Sequence, residues 1–207
     1  QYASASTGSV HDEVMRLLRK EQVIPNVRVI NSYYDHDPMI EIFADNARKF
    51  DIDSYDHILF SFHGLPQRQM IKADACNHCL KTANCCETVS IKNQFCYSAQ
   101  SHGTAYALAK KLNLTRDRYT ISFQSRLGRD PWIQPYTIEV LEKLAKQGAK
   151  RLLVFSAAFV ADCLETIVEI SSEYQEEFHK MGGEKVDLVP SLNDDPRWIK
   201  VIADMVR

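Results

Sequence analysis

The sequence predicts an α/β protein in which doubly wound parallel sheets carry flanking helices. Short apolar runs alternate along the chain with amphipathic stretches. Such runs, bounded by glycine, proline or polar residues, are typical of strands that are buried on both faces of a parallel sheet. Gly148 and Gly182 follow amphipathic stretches at positions where glycine commonly ends a helix. We therefore expect strands and helices joined by right-handed crossovers.

The first part of the chain predicts two helices and two strands. Residues 9–20 are amphipathic at a helical period, and residues 27–30 form a short β-branched run. Pro38 stands at the first position of a helix predicted over 38–50, where proline is favoured. Residues 57–62, HILFSF, predict the next strand, which a glycine and a proline follow.

The segment 69–92 has neither a helical nor a strand period, and we predict it to be an insertion between a strand and the next helix. A long connection without regular structure inside a compact domain is usually functional. After this segment the alternation resumes. The remaining predicted elements are helices over 93–112, 136–147, 162–181 and 196–206 and strands over 119–123, 152–155 and 186–189.

The composition is that of an ordinary globular protein. The 207 residues are 45% hydrophobic and 25% charged, with a net charge of -2. These values exclude a disordered chain, a coiled coil and a collagen-like repeat. A non-specific nucleic-acid binder needs a strong positive field, so we expect no nucleic-acid partner. No apolar stretch approaches the ~20 residues of a membrane-spanning helix.

Ligands of open α/β sheets bind beyond the carboxyl ends of the strands. His63 directly follows the strand over 57–62, where a neutral imidazole can bind a metal or accept a proton. A hydrogen-bonded structural histidine in a turn is the alternative. The residues after the strand over 119–123 are Gln124, Ser125 and Arg126, and the aromatic residues near strand ends, which together suit a flat apolar ligand, are Tyr33, Tyr34, Trp132 and Phe159.

Three carboxylates follow the strand over 152–155. Asp162, Glu165 and Glu169 are spaced at i, i+3 and i+7, which places them on one face of the predicted helix. The first of them lie near the helix N-terminus, where negative charge is stabilised. This acidic face meets either solvent or a polar cleft at the strand end. The opposite apolar face, which we expect to be buried, consists of Leu164, Ile167 and Val168.

Five of the six cysteines lie close together in the sequence, and Cys163 stands alone. Clustering of this kind indicates metal or redox chemistry in a reducing compartment rather than a secreted disulfide scaffold. The C-x2-C pair can bring two thiolates to one ion, and all-thiolate sites suit zinc or an iron–sulfur cluster. His78 is a further candidate ligand for zinc, and spacing alone does not decide between the two metals. The clustered cysteines are Cys76, Cys79, Cys85, Cys86 and Cys96.

Several segments resemble the ferrochelatases, the enzymes that insert ferrous iron into a porphyrin. Residues 59–68, LFSFHGLPQR, resemble the signature of that family, and residues 123–135, FQSRLGRDPWIQP, are similar to its QS…PW segment. Residues 158–169, AFVADCLETIVE, resemble its second catalytic segment, with an aspartate and two glutamates in the same places. Residues 31–38, NSYYDHDP, are similar to its entry into the second domain. The resemblance covers nearly the whole chain and implies the chelatase-like α/β fold.

The resemblance also implies a domain organisation. Residues 1–31 correspond to the remainder of an N-terminal α/β domain, and residues 32–190 to a C-terminal α/β catalytic domain that contains the cysteine-rich insertion 69–92. Residues 191–207 add a C-terminal helix. The chain then matches the C-terminal two-thirds of such an enzyme, and much of one α/β domain lies outside it. Cys163 stands where the family often has a histidine.

The activity that the resemblance implies is the insertion of ferrous iron into protoporphyrin IX for heme biosynthesis, with release of two protons; coproporphyrin is the alternative substrate. His63 fits the base or a metal contact, and Glu165 fits a metal ligand that faces it. Asp162 and Glu169 complete a carboxylate path for protons or metal. The implied substrate-binding residues are Tyr33, Gln124, Ser125, Trp132, Phe159 and Arg126, the last of them opposite a propionate.

Some members of the family carry a [2Fe–2S] cluster, and a bacterial subset holds it within an internal insertion. The resemblance therefore favours iron–sulfur over zinc, with four of the five clustered cysteines as ligands. Adjacent cysteines point apart, which weakens Cys85 with Cys86, and relatives without the insertion can carry a cysteine at position 96, which weakens Cys96. Two sets stay open: Cys76, Cys79, Cys85 and Cys86, or Cys76, Cys79 and Cys96 with one of the adjacent pair.

Two other functions remain open from the sequence. One is an iron–sulfur redox or sensor module on a chelatase-like fold, and the other is a chelatase that inserts cobalt or nickel into a tetrapyrrole. The partners we expect are a porphyrin and ferrous iron. We expect a cytoplasmic protein, with peripheral contact at the inner membrane left open, and no oligomeric state is indicated.

Overall fold

A computed structural model describes the whole chain, Gln1–Arg207. The chain divides into two compact units, one made of Gln1–Tyr34 and Arg68–Gly103 and the other of Asp35–Gln67 and Thr104–Arg207. The predicted domain boundaries concern the whole protein and stay a prediction. None of the helices combines the length and the apolar composition that crossing a membrane requires.

The second unit is built on a parallel sheet, which confirms the predicted α/β class. The strand order is β2-β1-β3-β4, and every pair of neighbours is parallel. The central strand β1 places Phe60 beside Ile121 on one side and Phe155 on the other. Four of the five predicted strands are therefore confirmed. They are β1 (His57–His63), β2 (Tyr119–Gln124), β3 (Arg151–Phe155) and β4 (Lys185–Leu188).

Helices follow the strands as predicted, and glycine ends two of them. Gly148 and Gly182 have φ values of 92° and 93° after α5 and α6, a conformation that glycine adopts without strain. A π-helix over Glu165–Tyr174 runs directly into α6. The α-helices are α1 (Ser9–Leu18), α2 (Asp37–Ala47), α3 (Gln67–Ala73), α4 (Tyr97–Lys111), α5 (Thr137–Lys146), α6 (Gln175–Lys180) and α7 (Pro196–Val206).

The core of the second unit lies on both faces of the sheet because side chains alternate along each strand. On one face Leu59 packs in a cluster with residues of β3, α5, the π-helix and α6. On the other face the ring of Phe60 lies 5.0 Å from that of Phe155 and 5.4 Å from that of Tyr119. Burial of each such side chain contributes about 1.5–3 kcal/mol. The first cluster comprises Leu59, Val140, Leu141, Leu144, Leu152, Val154, Ile170, Phe178 and Val186.

Two predictions for the first unit are wrong. Residues 27–30 form no strand, and Val27 and Val29 are 40% and 43% exposed. The first unit contains no other strand with which this run could pair. The segment 69–92 was expected to lack regular structure, but its first residues belong to α3. Burial of Met70, which is 5% exposed, anchors that helix.

The predicted α-helix over 162–181 is wrong in its first half, which is a π-helix. A π-helix bonds i→i+5, so each of its turns takes more residues than an α-helical turn. The buried side chains of this stretch are Thr166 and Ile170, four residues apart, and Phe178 of α6, eight residues further on. The face that we expected to be buried is turned outward instead. Its residues Leu164, Ile167 and Val168 are 74%, 57% and 41% exposed.

Candidate active site

The carboxyl end of β1 is where a ligand is expected in this sheet. The chain leaves β1 for β2 on one side and then crosses to β3 and β4 on the other. Connections that depart in opposite directions open a crevice at the strand ends, which is the common binding site of such sheets. His63 is the last residue of β1 and lies beside Gln124 of β2. His63, which the sequence predicts to be a site residue, therefore lies at the strand end that the topology selects.

The tautomer of the neutral His63 ring follows from its contact with the backbone. Its Nδ1 lies 2.6 Å from the carbonyl oxygen of Gly64. A carbonyl oxygen only accepts, so Nδ1 carries the proton and Nε2 is the basic nitrogen of the neutral ring. The side chain is half-buried. This arrangement suits a group that accepts a proton or contacts a metal ion.

The segment after β1 and the segment after β2 are hydrogen-bonded to each other. Gly64 N donates to Gln124 O at 2.8 Å, and Ile133 N donates to Leu65 O at 3.0 Å. A side chain at position 64 would meet Gln124 O at 2.8 Å and the Trp132 ring at 3.0 Å, so this close approach requires a glycine. The sequence segments HGLP and DPWIQP thus form one rigid edge of the site.

Two aromatic rings flank the imidazole. The centroids of Trp132 and Phe159 each lie 6.2 Å from that of His63. Trp132 is 9% exposed and its indole N–H is buried without a hydrogen-bond partner, whereas Phe159 is half-buried in a turn after β3. Aromatic faces next to a basic nitrogen form the kind of apolar wall that binds a flat ligand.

Glu165, the first residue of the π-helix, interacts with His63. A hydrogen bond from the Cys163 thiol and the backbone N–H of residue 165 lower the pKa of Glu165, and the charge of a protonated His63 lowers it further. Burial, and then the same contact with Glu165, raises the pKa of the Cys163 thiol. The result is an ionised carboxylate within electrostatic reach of the basic imidazole.

Asp162 is held from several sides. Its carboxylate accepts from Asn193 Nδ2 at 2.8 Å, from Ser191 N at 3.2 Å and from Thr166 Oγ1 at 3.3 Å. Burial alone would raise the pKa of Asp162, but these hydrogen bonds outweigh it and lower the pKa. Asp162 therefore stays ionised while tied to the loop after β4.

Glu169 is also saturated with donors. Its carboxylate accepts from Ser125 N at 2.7 Å, Ser125 Oγ at 2.6 Å, Gln124 Nε2 at 3.0 Å and Tyr174 Oη at 2.8 Å. Ser125 has a φ of 63°, which is unusual for a residue other than glycine. The bonds to Glu169 hold Ser125 in that conformation and join the end of β2 to the π-helix.

Gln124 lies beneath the site rather than on its surface. It is 1% exposed, and its Oε1 accepts from the hydroxyls of Ser61 and Ser156 at 2.8 and 3.3 Å. Its Nε2 donates to Glu165 O at 2.9 Å as well as to the carboxylate of Glu169. All four hydrogen-bonding positions of the amide are thereby used within the protein.

The remaining predicted substrate residues lie in two places. Arg126 is exposed, with its guanidinium carbon 4.7 Å from the centroid of the Tyr136 ring, a cation–π contact. Tyr33 belongs to the first unit, where burial raises its pKa. The structure thus brings His63, Trp132, Phe159 and Glu165 together within the second unit.

The five clustered cysteines line one cavity of ≈ 160 Å³ in the first unit. Cys85 Sγ lies 3.5 Å from Cys86 Sγ. A hydrogen bond from Cys86, followed by the N–H groups at the start of α4, lowers the pKa of Cys96 to about 6. The same bond with Cys96, followed by burial, raises the pKa of Cys86. Burial, and then the neighbouring thiols of Cys96 and Cys85, raises the pKa of Cys79 to about 11. Cys76 is exposed.

Polar side chains fix the backbone around this cavity. Asp74 accepts hydrogen bonds from the backbone N–H groups of Cys76, His78 and Cys79 at 3.0, 2.6 and 2.7 Å. Asn93 Nδ2 donates to the carbonyl of Cys85 at 2.9 Å. His78 Nε2 lies 3.2 Å from that same carbonyl, so it donates there rather than offering a lone pair to a metal.

The number of thiols in this cavity is sufficient for an iron–sulfur cluster. A [2Fe–2S] cluster needs four thiolates, and this cavity offers five. No group of three or more histidine, cysteine, aspartate or glutamate residues is arranged around one ion position anywhere in the chain. The thiols are therefore neighbours in one cavity, without forming a ready site for a mononuclear metal.

The ferrochelatase family model matches residues 1–207. The chain belongs to the ferrochelatase family. It is 42% identical over 207 residues to a ferrochelatase of Pseudomonas fluorescens (strain Pf0-1), covering 99% of this chain and 61% of that protein. A ferrochelatase of Pseudomonas putida (strain KT2440) is 41% identical over 99% of the chain and 62% of its own length. One of Legionella pneumophila (strain Lens) is 41% identical over 100% of the chain and 61% of its own length.

The chain thus spans about three fifths of the length of the ferrochelatases it matches. The residues around His63 at the carboxyl end of β1 come from three of the four segments that carried the sequence resemblance, 59–68, 123–135 and 158–169. Reasoning from the sequence missed two supporting residues, Asn193 beside Asp162 and Asp74 in the cysteine segment. Asp74 had a recognisable signal, because aspartate two residues before a turn often accepts its N–H groups. Asn193 had a weaker sequence signal, because it lies in the loop after the strand β4.

Proposed function

We propose that the whole protein is a ferrochelatase that inserts ferrous iron into protoporphyrin IX and releases two protons. One observation carries the proposal: His63, with Nε2 as its basic nitrogen, lies between Trp132 and Phe159 and within electrostatic reach of Glu165. Membership of the family favours iron insertion over a redox or sensor module and over insertion of cobalt or nickel.

The reaction assigns a task to each of these groups. Two pyrrole N–H protons must leave the ring as iron enters, so a base is needed beside the ring centre, and we assign this task to His63. The ionised Glu165 is the carboxylate that contacts the incoming iron or receives the proton. Asp162, Glu165 and Glu169 form what we call the acidic row. Asp162 and Glu169 are both tied to neighbouring loops by hydrogen bonds.

The substrate contacts follow from the chemistry of the ring. We propose that the aromatic faces of Trp132 and Phe159 contact the flat apolar macrocycle, whereas the predicted role of Tyr33, in the first unit, stays a prediction. A pocket that binds the distorted ring more tightly than the planar ring would expose the nitrogen lone pairs to the metal. Arg126 is assigned to a propionate, whereas Gln124 and Ser125 act from below by holding the π-helix. We propose a cytoplasmic location, where thiols stay reduced.

We further propose that the thiol cavity holds a [2Fe–2S] cluster. Cys96 lines the cavity with the other four cysteines and is hydrogen-bonded to Cys86, which supports the ligand set that includes Cys96 over the four cysteines of the insertion. The four ligands are then Cys76, Cys79, Cys86 and Cys96. When bound, such a cluster supplies one-electron redox chemistry and cross-links the loop.

Anaerobic iron insertion by the whole protein tests the proposed activity. His63→Ala should lower turnover at least ~10²-fold, which is the scale for loss of a general base. His57→Ala is the matched control, because His57 lies at the other end of β1 and bonds Thr120. An unmodified protein that inserts no iron, or a folded His63→Ala protein with normal turnover, would overturn the proposal.

A further inference from the structure

The start of the π-helix is held by a side chain that is not part of the acidic row. Asn193 lies after β4, and Asp162 lies in the connection after β3. Asp162 N donates to Asn193 Oδ1 at 2.8 Å, and Asn193 Nδ2 donates to Asp162 Oδ2 at 2.8 Å. The amide of Asn193 and the backbone and carboxylate of Asp162 therefore form a reciprocal pair.

Backbone bonds extend this pair. Asn193 N donates to Val160 O at 2.9 Å, and Ser191 N donates to Asp162 Oδ1 at 3.2 Å. These bonds tie the connection before the π-helix to the loop after the neighbouring strand. We call the set of Val160, Asp162, Ser191 and Asn193 the loop clamp.

The N-terminus of the π-helix has two anchors, which are the loop clamp and the Gln124 side chain that donates to Glu165 O at 2.9 Å. The π-helix has no side-chain hydrogen bond at its N-cap, and the N-cap residue, Leu164, is 74% exposed. Only Cys163 and Leu164 separate the clamped Asp162 from Glu165. Thr166 Oγ1 also donates to Asp162 Oδ1 and accepts from Cys163 N. Gln124 fixes the backbone of residue 165 from the side of β2, and Asp162 fixes the chain that leads into it, so the place of the Glu165 carboxylate depends on where Asp162 is held.

The backbone of Asn193 is specialised for this task. Its φ of 48° lies in the left-handed region, where asparagine is among the few tolerated residues other than glycine. This conformation directs the amide across to Asp162 while the backbone N–H reaches Val160. We infer that Asn193 is a positioning residue that sets the place of Glu165 relative to His63, an inference that rests on the proposed iron insertion.

Asn193→Gly is the informative substitution. Glycine keeps the left-handed backbone and removes both side-chain bonds to Asp162. Asn113→Gly is the matched control, since Asn113 has a φ of 53° in the turn after α4, away from the carboxyl end of β1. Both variants carry the same entropic cost of a new glycine, so a difference between them reports the loop clamp.

Two measurements on the whole protein decide the inference. Turnover of Asn193→Gly should fall about 10- to 100-fold with little change in KM for porphyrin, the scale for a misplaced reacting group. Amide exchange across residues 160–168 should become at least ~10-fold faster than in Asn113→Gly. Turnover and exchange equal to those of Asn113→Gly would overturn the inference, as would a turnover loss that merely follows global unfolding.

Exchanging the carboxylate and the amide between positions 162 and 193 tests whether the hydrogen-bond geometry, and not an amide at position 193 as such, holds the loop. Asn193→Asp alone sets two carboxylates against each other and should speed exchange across 160–168. Adding Asp162→Asn restores both bonds, the one between the side chains with donor and acceptor exchanged, so protection should return. Failure of the double variant to regain protection would contradict the loop clamp. If the unmodified protein inserts no iron, the proposed function fails, and the exchange measurements still decide the clamp.

Discussion

At the scale of single residues, the three carboxylates of the acidic row differ in how they are satisfied. Glu169 accepts four hydrogen bonds from Ser125, Gln124 and Tyr174. Asp162 is likewise tied to Asn193 and Ser191. Glu165 has only the Cys163 thiol and a backbone N–H as hydrogen-bond donors to its carboxylate. A carboxylate with spare acceptor capacity can exchange partners, which makes Glu165 the one suited to direct chemistry.

Glu165→Gln should therefore impair iron insertion strongly. The amide keeps the size of the side chain but removes the charge, and loss of a group that moves protons or contacts iron costs about 10²-fold or more. Glu176→Gln is the control, because Glu176 is exposed on α6, well along the helix. Initial rates of anaerobic iron insertion measure both. Equal rates for the two variants would remove Glu165 from the reaction.

Asp74 is predicted to organise Cys76 and Cys79, the C-x2-C pair that lines the cavity. Asp74→Ala leaves the N–H groups of Cys76, His78 and Cys79 without their acceptor. Changes of this kind near a metal site lower metal affinity about 10- to 100-fold, so iron should be lost faster to a chelator. Iron content and visible absorption per chain are the measurements.

Asp74→Asn keeps an acceptor oxygen and should retain more iron than Asp74→Ala. Lys81→Ala, an exposed change in the same segment, serves as the control. If all three variants keep the iron of the unmodified protein, Asp74 has no organising role.

At the scale of elements, the sequence identified buried strands better than it identified helix type. The runs that became β1 to β4 are mostly apolar, and strands buried on both faces need no other signal. The run 27–30 has the same composition, but a strand also needs a partner, and none exists in its unit. Pairing is a property of the fold, which a local pattern does not contain.

The π-helix shows the complementary limit. The spacing of Asp162, Glu165 and Glu169 matches an α-helix, and so does the apolar stripe on the other side. Bonds from Gln124 and Ser125 to residues 165 and 169 instead attach the helix to β2. Tertiary hydrogen bonds therefore accompany a wider turn than local periodicity predicts. Such local disagreements are expected where function constrains the chain.

The start of α7 offers a prediction about stability. Asp195 caps this helix by accepting from Arg197 N at 2.8 Å and also bonds the Arg197 side chain. Asp195→Ala should lower the free energy of unfolding by about 1 kcal/mol. Asp194→Ala, an exposed neighbour outside the cap, should change it little. Urea unfolding at pH 7 measures both.

The same cap has a pH dependence. The Arg197 guanidinium, followed by the Arg197 N–H, lowers the pKa of Asp195 from 3.8 to about 2. A depressed pKa means that the ionised form stabilises the fold above pH 3.8 and that this stabilisation is lost as the pH falls toward about 2. The gap between Asp195→Ala and the unmodified protein should shrink over that range. A gap that widens on acidification would contradict the assignment.

At the scale of the whole molecule, the two units differ in how they are held together. The second unit has a large core on both faces of its sheet. The first unit buries few apolar side chains, and α1 buries none. Small cores need additional cross-links to be stable, and metal clusters are a common means. The buried apolar residues of the first unit are Ala3, Met70, Cys85, Tyr97 and Ala99.

Residues at strand ends were easier to predict from the sequence than residues in the cysteine segment. His63 and Trp132 follow strands, so the strand-end rule found them. The thiol cavity was recognisable from cysteine clustering, but the choice among five cysteines depends on how the loop folds back. That folding relies on Asp74 and Asn93, whose hydrogen bonds to the backbone leave no periodic mark in the sequence.

The cluster is predicted to stabilise the first unit as well as to colour the protein. Anaerobically purified whole protein should show the visible absorption of a [2Fe–2S] cluster, and single Cys→Ser changes should identify the ligands. Cys86→Ser and Cys96→Ser should bleach the spectrum, since these two thiols contact each other beside Cys79. Cys163→Ser should keep it, because Cys163 belongs to the other unit.

Loss of the cluster should also loosen the loop that carries its ligands, because metal binding and folding are coupled in such segments. Limited proteolysis should then cut within residues 74–96 faster in the bleached variants than in Cys163→Ser. Retention of colour by Cys96→Ser together with bleaching by Cys85→Ser would reinstate the set of four insertion cysteines. A colourless protein that binds one zinc ion per chain after anaerobic preparation would refute the cluster altogether, and the first unit would then owe its stability to a different metal.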